Sequence, residues 1–280
     1  MDIVIILKYL LLGIVQGFTE VLPISSSGHV EIVKTLIDIE CVDNVLFLII
    51  VNTGSLITFI FIYRKRLIDI IVSFFMYIFI PARRTEHRKG FIYTLKILVA
   101  TIPAVIVGFL FEDMIDSILD SHGLLLVGIG LLLTATVLFY ITSREPFNSK
   151  DHDVNWTDSL LIGIAQSVAL IPGVSRSGMT SSAALRRGRS IQTALDFSFI
   201  MYIPVSIGSI MLMIIQLISG EETLGNDIPT LMFIIAFMGA MVATYIAYRL
   251  IFNIFKSGKL RYFSYYCFGA SAFALLLYIF

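Results

Sequence analysis

Charged side chains are scarce in this sequence. Only 14% of its 280 residues are Asp, Glu, Lys or Arg, whereas 58% are hydrophobic. A soluble domain carries about a quarter charged residues, so this composition excludes an ordinary soluble protein. Basic and acidic residues balance at 20 each, and the zero net charge argues against a nucleic-acid partner. The composition therefore indicates a membrane protein.

Cysteine and histidine are also rare. The two cysteines, Cys41 and Cys267, lack the spacing of metal ligands and predict no disulfide framework. The N-terminus lacks a basic segment and a small-residue cleavage site, so we expect no removable signal peptide. A zinc site is not expected, because the histidines are scattered along the chain. They are His29, His87, His122 and His152.

Six apolar runs approach the length of about 20 residues that a helix needs to cross a bilayer. The expected crossings are Val45–Tyr63, Phe91–Phe111, Leu124–Ile141, Leu195–Ile218, Leu231–Ile251 and Tyr262–Phe280. Residues 67–80 are apolar but short, and counting them as a crossing would put basic clusters on opposite sides. We expect them to form an interfacial or re-entrant helix.

Basic and acidic residues alternate between the loops. Loops rich in Lys and Arg face the cytoplasm in membrane proteins, so the acidic loops are expected outside. The basic positions are Arg64, Lys65, Arg66, Arg83, Arg84, Arg88 and Lys89, then Arg186, Arg187 and Arg189, then Lys256, Lys259 and Arg261. The acidic positions are Glu112, Asp113, Asp116 and Asp120, then Glu221, Glu222 and Asp227.

Two segments repeat each other at an offset of 150 positions. "LLLGIVQGFTEVLPISSSG" (10–28) and "LLIGIAQSVALIPGVSRSG" (160–178) share eight residues, including a glutamine and an S-x-S-G motif that apolar composition does not explain. We infer a duplication within a single membrane domain spanning 1–280, with repeats at about 1–142 and 158–280. Three crossings follow each segment, and this odd number inverts the second repeat.

A proline interrupts each repeated segment, at Pro23 and at Pro172, and serines favoured as helix N-caps follow it. Each segment should form a hairpin too short to cross the membrane twice. The predicted fold is therefore all-α and polytopic, with six transmembrane helices and two re-entrant helical hairpins in an inverted repeat. Non-helical backbone at membrane depth must line a protein cavity, so the two serine loops are expected to share a pocket.

The pocket concentrates polar groups suited to phosphoryl transfer. Gln16 and Glu20 share one helix face, and a buried Glu20, His29 or Arg176 needs a partner or a function. Helix N-termini and an arginine fork bind phosphate oxygens. The alternatives are a Glu20–Arg pair in a sealed core, a His29 satisfied at a helix start, and small residues at 175–184 that serve helix packing.

The predicted pocket offers a divalent cation only one carboxylate, that of Glu20. A dedicated protein cage is therefore not expected. Mg²⁺ or Ca²⁺ held by Glu20, the Gln16 carbonyl and the substrate's own phosphates is the more plausible arrangement.

Both motifs resemble those of the undecaprenyl-diphosphate phosphatases associated with bacitracin resistance. "QGFTEVLPISSSGH" (16–29) resembles that family's [E/Q]-x-x-x-E and P-x-S-S-x-G-H motifs, and "PGVSRSGMT" (172–180) resembles its P-G-x-S-R-S-G-x-T motif. The similarity in segment order covers nearly the whole chain. Departures are Gln16 where some members have glutamate, Val21 where phenylalanine is common, and Asn52 where glutamine is usual. These departures affect the pocket lining and substrate fit more than the catalytic groups.

The resemblance implies a bacterial cell-membrane enzyme, with its active site facing outward, that hydrolyses undecaprenyl diphosphate and recycles the lipid carrier of cell-wall synthesis. It implies a divalent cation bound by Glu20 and Gln16, and a clamp for the diphosphate formed by Arg176. Ser26 would be a nucleophile or phosphate ligand, and His29 an acid/base or alternative nucleophile. The expected substrate-binding residues are Gln16, Ser25, Ser27, Ser175, Ser177 and Thr180.

The expected partners are a polyprenyl diphosphate lipid and membrane lipids, with a homodimer left open and no nucleic acid. Two other functions stay open. Inverted repeats with hairpins are typical of transporters, so the alternative is a transporter or flippase for a phosphorylated lipid or small anion. A purely structural scaffold would leave the buried charges unexplained.

Overall fold

The computed structural model describes residues 3–39, 45–143, 153–219, 229–256 and 259–280, and these ranges contain only helices, turns and short connections. The all-helical, polytopic membrane fold predicted from the sequence is confirmed. The helices are α1 (Ile3–Val21), α2 (Ser26–Leu36), α3 (Val45–Phe79), α4 (Arg84–Thr142), α5 (Trp156–Val168), α6 (Arg176–Arg186), α7 (Ile191–Ser219), α8 (Thr230–Lys256) and α9 (Leu260–Ile279).

Seven helical stretches of the described chain are long and apolar enough to cross a membrane. Six of them overlap the six predicted crossings. The seventh is α1, Ile3–Val21, which we expected to be a short arm of a hairpin. Its 19 residues form one unbroken helix, because the first proline of the chain comes only at position 23. The predicted outside loop with Glu221, Glu222 and Asp227 lies outside the described residues, as do Cys41 and His152.

Two expected interruptions are wrong. Residues 67–80 do not form a separate helix, since α3 runs without a break from Val45 to Phe79. Arg64, Lys65 and Arg66 are good helix formers, so a charged cluster did not end the helix. Likewise, α4 continues through the acidic segment 112–121, expected as a loop, and departs from helical geometry at His122, with φ −145° and ψ 38°.

Each repeated segment folds as two helices around a proline break. The bounds of α6 lie 150 positions after those of α2, and each helix begins after a serine N-cap, Ser25 or Ser175. The N-cap Ser25 has φ 71°, a left-handed conformation that serine seldom adopts. The duplication therefore extends from sequence to local structure.

In each hairpin, a side chain also joins the start of the first helix to the end of the second. In the first hairpin, Lys8 Nζ donates to the Ile37 carbonyl at 2.5 Å. At the equivalent positions of the second, Arg187 Nε donates to the buried Asp158 carboxylate at 2.8 Å. Different chemistry thus holds the same two helix ends together in both repeats.

The hairpins pack across the two repeats. Gly13 of α1 lies against the backbone of Ala236 in α8, and a Cβ at Gly13 would collide with the Ala236 carbonyl oxygen. Gly163 of α5 meets the backbone of Ala100 in α4 in the same way. Each hairpin therefore packs against a long helix of the other repeat. This exchange brings the two proline breaks to the centre of the molecule.

Candidate active site

The serine loops of the two hairpins line one cavity of about 140 Å³. The first residues of both α2 and α6 open onto it, so two helix N-termini face the same space. Such termini present unpaired N–H groups and a partial positive charge, which favour an anion. The polar lining residues are Thr19, Glu20, Ser25, Ser26, Ser27, Ser175, Arg176 and Ser177.

The carboxylate of Glu20 organises the polar side chains around this cavity. Arg176 Nη2 donates to its Oε1 at 2.5 Å, which makes an ion pair between the two hairpins. Its Oε2 accepts the Ser26 hydroxyl at 2.5 Å and Gln16 Nε2 at 2.9 Å. The structure thus brings the carboxylate and hydroxyl of the first hairpin together with a guanidinium 156 positions away in the sequence.

Arg176 is held by two groups and keeps one nitrogen available. Its guanidinium lies 3.8 Å from the ring centroid of Tyr202, a cation–π contact. Within the described chain, its buried Nη1 has no hydrogen-bond partner. An unpaired buried donor is costly, and a phosphate oxygen would satisfy it. The arrangement therefore favours an anionic ligand.

Two residues that extend the site come from neighbouring helices. Asn52 Oδ1 of α3 accepts Gln16 Nε2 at 2.5 Å, and the Tyr202 hydroxyl of α7 donates to the Asn52 carbonyl at 3.1 Å. The sequence marked Asn52 only through the family resemblance. It gave no signal for Tyr202, which lies within a long apolar run.

The remaining serines hold the two loops in shape. The hydroxyls of Ser25 and Ser175 each accept a hydrogen bond from the backbone N–H three residues ahead. Their Oγ atoms also lie 3.4 Å from the Oγ atoms of Ser27 and Ser177, respectively. Ser177 donates to the carbonyl of Leu22 at 3.0 Å and so links the two loops directly. Their expected role in substrate binding stays a prediction.

Thr180 lies behind the cavity in α6. Its hydroxyl is 2.6 Å from that of Ser198 and 2.8 Å from the Arg176 carbonyl. Thr180 is not one of the described residues that line the cavity. The contacts connect α6 to α7, and the predicted contact of Thr180 with substrate stays a prediction.

Both ring nitrogens of His29 bond to groups other than the Glu20 carboxylate. Its Nδ1 bonds to the Ser25 carbonyl at 2.7 Å and its Nε2 to the Tyr266 hydroxyl at 2.8 Å. Because a carbonyl only accepts, Nδ1 carries a proton and Nε2 accepts in the neutral ring. Burial lowers the pKa of His29, which favours this neutral form. The described lining of the cavity does not include His29, and the sequence gave no signal for Tyr266.

The donor set fits a divalent cation only in part. Among the described residues, no cluster of three or more His, Cys, Asp or Glu side chains is present. Glu20 supplies one carboxylate, and the side-chain amides of Gln16 and Asn52 lie next to it. Hard cations need about six or more oxygens, so these groups fit Mg²⁺ or Ca²⁺ if phosphate oxygens complete the shell.

Comparison with known proteins identifies the family of this chain. The family model of "Bacitracin resistance protein BacA" matches residues 9–273. "Undecaprenyl-diphosphatase 2" of Bacillus thuringiensis (strain Al Hakam) is 40% identical over 262 residues, 94% of each chain. "Undecaprenyl-diphosphatase" of Oceanobacillus iheyensis is 39% identical over 94% of this chain and 93% of its own.

A third relative extends the match slightly further. "Undecaprenyl-diphosphatase 1" of Halalkalibacterium halodurans is 38% identical over 98% of this chain and 96% of its own length. The region matched by the family model includes both proline breaks, at Pro23 and Pro172. The chain therefore belongs to the bacitracin resistance protein BacA family.

Proposed function

We propose that this protein hydrolyses undecaprenyl diphosphate to undecaprenyl phosphate and inorganic phosphate, and so recycles the lipid carrier of cell-wall synthesis and confers bacitracin resistance. One observation carries the proposal: Ser26, Glu20 and Arg176 meet in a single cavity at which two helices begin. The names of the relatives support the same activity. A binding site alone would not need a hydroxyl hydrogen-bonded to a carboxylate beside an anion clamp.

The geometry supports Ser26 as the attacking group. Its hydroxyl donates to Glu20 Oε2, so Glu20 takes the proton as Ser26 Oγ forms a bond to the terminal phosphorus. The bond from that phosphorus to the bridging oxygen breaks, and undecaprenyl phosphate leaves. Water then cleaves the phosphoserine and releases inorganic phosphate. A water molecule bound to Glu20 in place of the Ser26 hydroxyl is the alternative nucleophile.

Arg176 and the helix N-termini stabilise the charge that develops on the transferred phosphoryl group. Arg176 keeps Nη2 on Glu20, which leaves Nη1 for a phosphate oxygen. The first residues of α2 and α6 line the same cavity, so the partial positive charge of both helix N-termini acts on the remaining oxygens. Such pre-positioned donors account for most of the barrier reduction in phosphoryl transfer.

A divalent cation would be held by Glu20, with Gln16, together with the diphosphate of the substrate. When bound, it would neutralise phosphate charge that Arg176 alone leaves uncompensated. Gln16 Nε2 donates to both Glu20 Oε2 and Asn52 Oδ1, so the amide oxygen of Gln16 is the atom that would bind the cation.

We also propose that the hairpins are re-entrant and that the cavity opens to the outside of the bacterial plasma membrane. The alternation of basic and acidic clusters along the sequence supports this orientation. In intact cells, we expect a membrane-impermeant maleimide to label a Ser27→Cys variant, and undecaprenyl diphosphate to protect it. Labelling only after the cells are broken would overturn the proposed orientation.

The nucleophile can be identified by trapping. During turnover of labelled undecaprenyl diphosphate, we expect an acid-stable phosphoenzyme in the wild type and none in Ser26→Ala. Ser27→Ala, one residue away in the same loop, is the matched control and should still be labelled. An acid-labile adduct would indicate His29 instead, and turnover without any adduct would indicate direct attack by water.

The same preparation separates hydrolysis from transport. Purified wild-type protein in detergent, with Mg²⁺ or Ca²⁺ present, is expected to release inorganic phosphate from undecaprenyl diphosphate. Binding of the lipid without phosphate release would favour the transporter or flippase alternative and contradict the proposed activity.

A further inference from the structure

An apolar groove of about 410 Å³ lies between α4 and α7. It is lined mainly by Ala104, Val105 and Gly108 of α4, Pro204 and Gly208 of α7, and Leu170 of the second hairpin. A Cβ at Gly208 would meet no atom within 4 Å, so the groove is open there. At its outer edge, Val105 is 59% and Phe109 79% exposed, so the groove opens sideways toward the surrounding lipid.

The groove adjoins the candidate active site through shared lining residues. A further cavity of about 140 Å³ lies between them, and its lining includes Glu20, Arg176, Tyr202, Val205 and Ser209. It shares Glu20 and Arg176 with the serine-lined cavity, and Val205 and Ser209 with the groove. A molecule whose charged end lies at Arg176 can therefore extend its apolar part between α4 and α7.

The duplication provides an internal comparison for this groove. In the other half of the molecule, the equivalent seam runs between α3 and α8 and is closed. Ser55 Oγ lies 2.9 Å from Thr244 Oγ1, and Thr58 Oγ1 donates to the Met241 carbonyl at 3.2 Å. Hydrogen bonds between side chains and backbone hold these two helices together.

The second repeat lacks the groups that close the seam. At the offset of 150, Val205 stands in place of Ser55 and Gly208 in place of Thr58. Neither replacement has a side-chain donor. The α7 wall of the groove has thus lost both hydrogen bonds that its counterpart in α3 makes.

The opposite wall and the hairpin follow the same pattern. The matching contacts of Gly13 and Gly163 align α8 with α4, and this alignment puts Gly108 at the position of Thr244. Leu170 stands at the offset of Glu20. A polar, closed seam in one repeat is therefore an apolar, open groove in the other.

From these observations we infer that the groove between α4 and α7 holds the part of the polyprenyl tail next to the diphosphate, and that it guides the tail from the active site into the lipid. The inference rests on the proposed function, because it takes the headgroup to bind at Arg176. The tail reaches the groove from lipid and not from water, so the groove would select by shape and by packing against the tail.

A substitution that fills the groove tests the inference. Gly208→Leu is the chosen change, because a Cβ at Gly208 would meet no atom within 4 Å. Gly269→Leu is the matched control, because a Cβ at Gly269 would also meet no atom within 4 Å, but this glycine lies on α9. For undecaprenyl diphosphate, we expect kcat/KM of Gly208→Leu to fall at least about tenfold, because the added side chain takes up space that the tail needs and overpacking has effects of this order. For the five-carbon dimethylallyl diphosphate, both variants should stay within about twofold of wild type.

Equal losses for both substrates, or no loss for either, would overturn the inference. A second readout does not depend on catalysis: farnesyl phosphate that carries a terminal diazirine should label peptides of α4 and α7 in wild type, and label them less in Gly208→Leu. Labelling of these helices by a protein that releases no phosphate would contradict the proposed function but support the groove. Phosphate release with labelling elsewhere would contradict the groove alone.

Discussion

Glu20→Gln is expected to lower kcat/KM for undecaprenyl diphosphate about a thousandfold, the range typical of losing a general base in a charged site. The amide keeps the size of the side chain but cannot take the Ser26 proton, and it no longer balances the charge of Arg176. The measurement is phosphate release by the purified variant beside wild type.

Glu31→Gln is the matched control for this change. Glu31 lies on α2, and its carboxylate pairs with Lys34 at 3.7 Å on a partly exposed surface. Such pairs contribute little, so activity should stay within about twofold. Removing one member of a buried pair also destabilises a protein, so the thermal midpoint in detergent is measured together with activity. A folded Glu20→Gln variant with near wild-type turnover would contradict the assigned role.

Arg176→Ala is the second change with a large expected effect, again about a thousandfold in kcat/KM. It removes the donor that binds Glu20 Oε1, the nitrogen free for phosphate, and the cation above Tyr202. Arg176→Lys keeps the charge but loses the planar fork, so it should recover about tenfold of that loss at most. Phosphate release at saturating and limiting substrate separates binding from catalysis.

Arg249→Ala is the control for a lost arginine. Arg249 also stacks on a tyrosine, with its guanidinium 4.9 Å from the Tyr245 ring centroid, but it lies outside the cavity. Its removal should leave turnover unchanged. If Arg176→Lys matched wild type, a general positive charge would suffice and the proposed clamp would be wrong.

Local signals explain why the hairpins could be predicted. Pro23 and Pro172 disfavour continuation of the helix before them, and Ser25 and Ser175 start the next helix through their own side chains. The proline and the serine act on residues close to them in the sequence, and both signals occur in each copy of the internal repeat. The pairing of Glu20 with Arg176 followed because both lie next to such a break.

The errors come from signals that packing overrides. The basic cluster at 64–66 suggested the end of a helix, yet Arg and Lys favour helices and α3 continues past them. Three further residues reach the site from other helices: Asn52, Tyr202 and Tyr266. No local sequence pattern distinguishes them from neighbouring apolar or polar residues. Their contacts depend on how the repeats exchange hairpins, which the Gly13–Ala236 contact shows only in three dimensions.

The central claim is that the two hairpins act as one unit on one headgroup, and a double-variant cycle tests it most directly. kcat/KM for phosphate release is measured for wild type, Glu20→Gln, Arg176→Ala and the double variant. Residues that act as a unit are strongly non-additive, so the double variant should be no more than about threefold worse than the poorer single variant. Losses that multiply would show that Glu20 and Arg176 act independently, and would contradict the shared site.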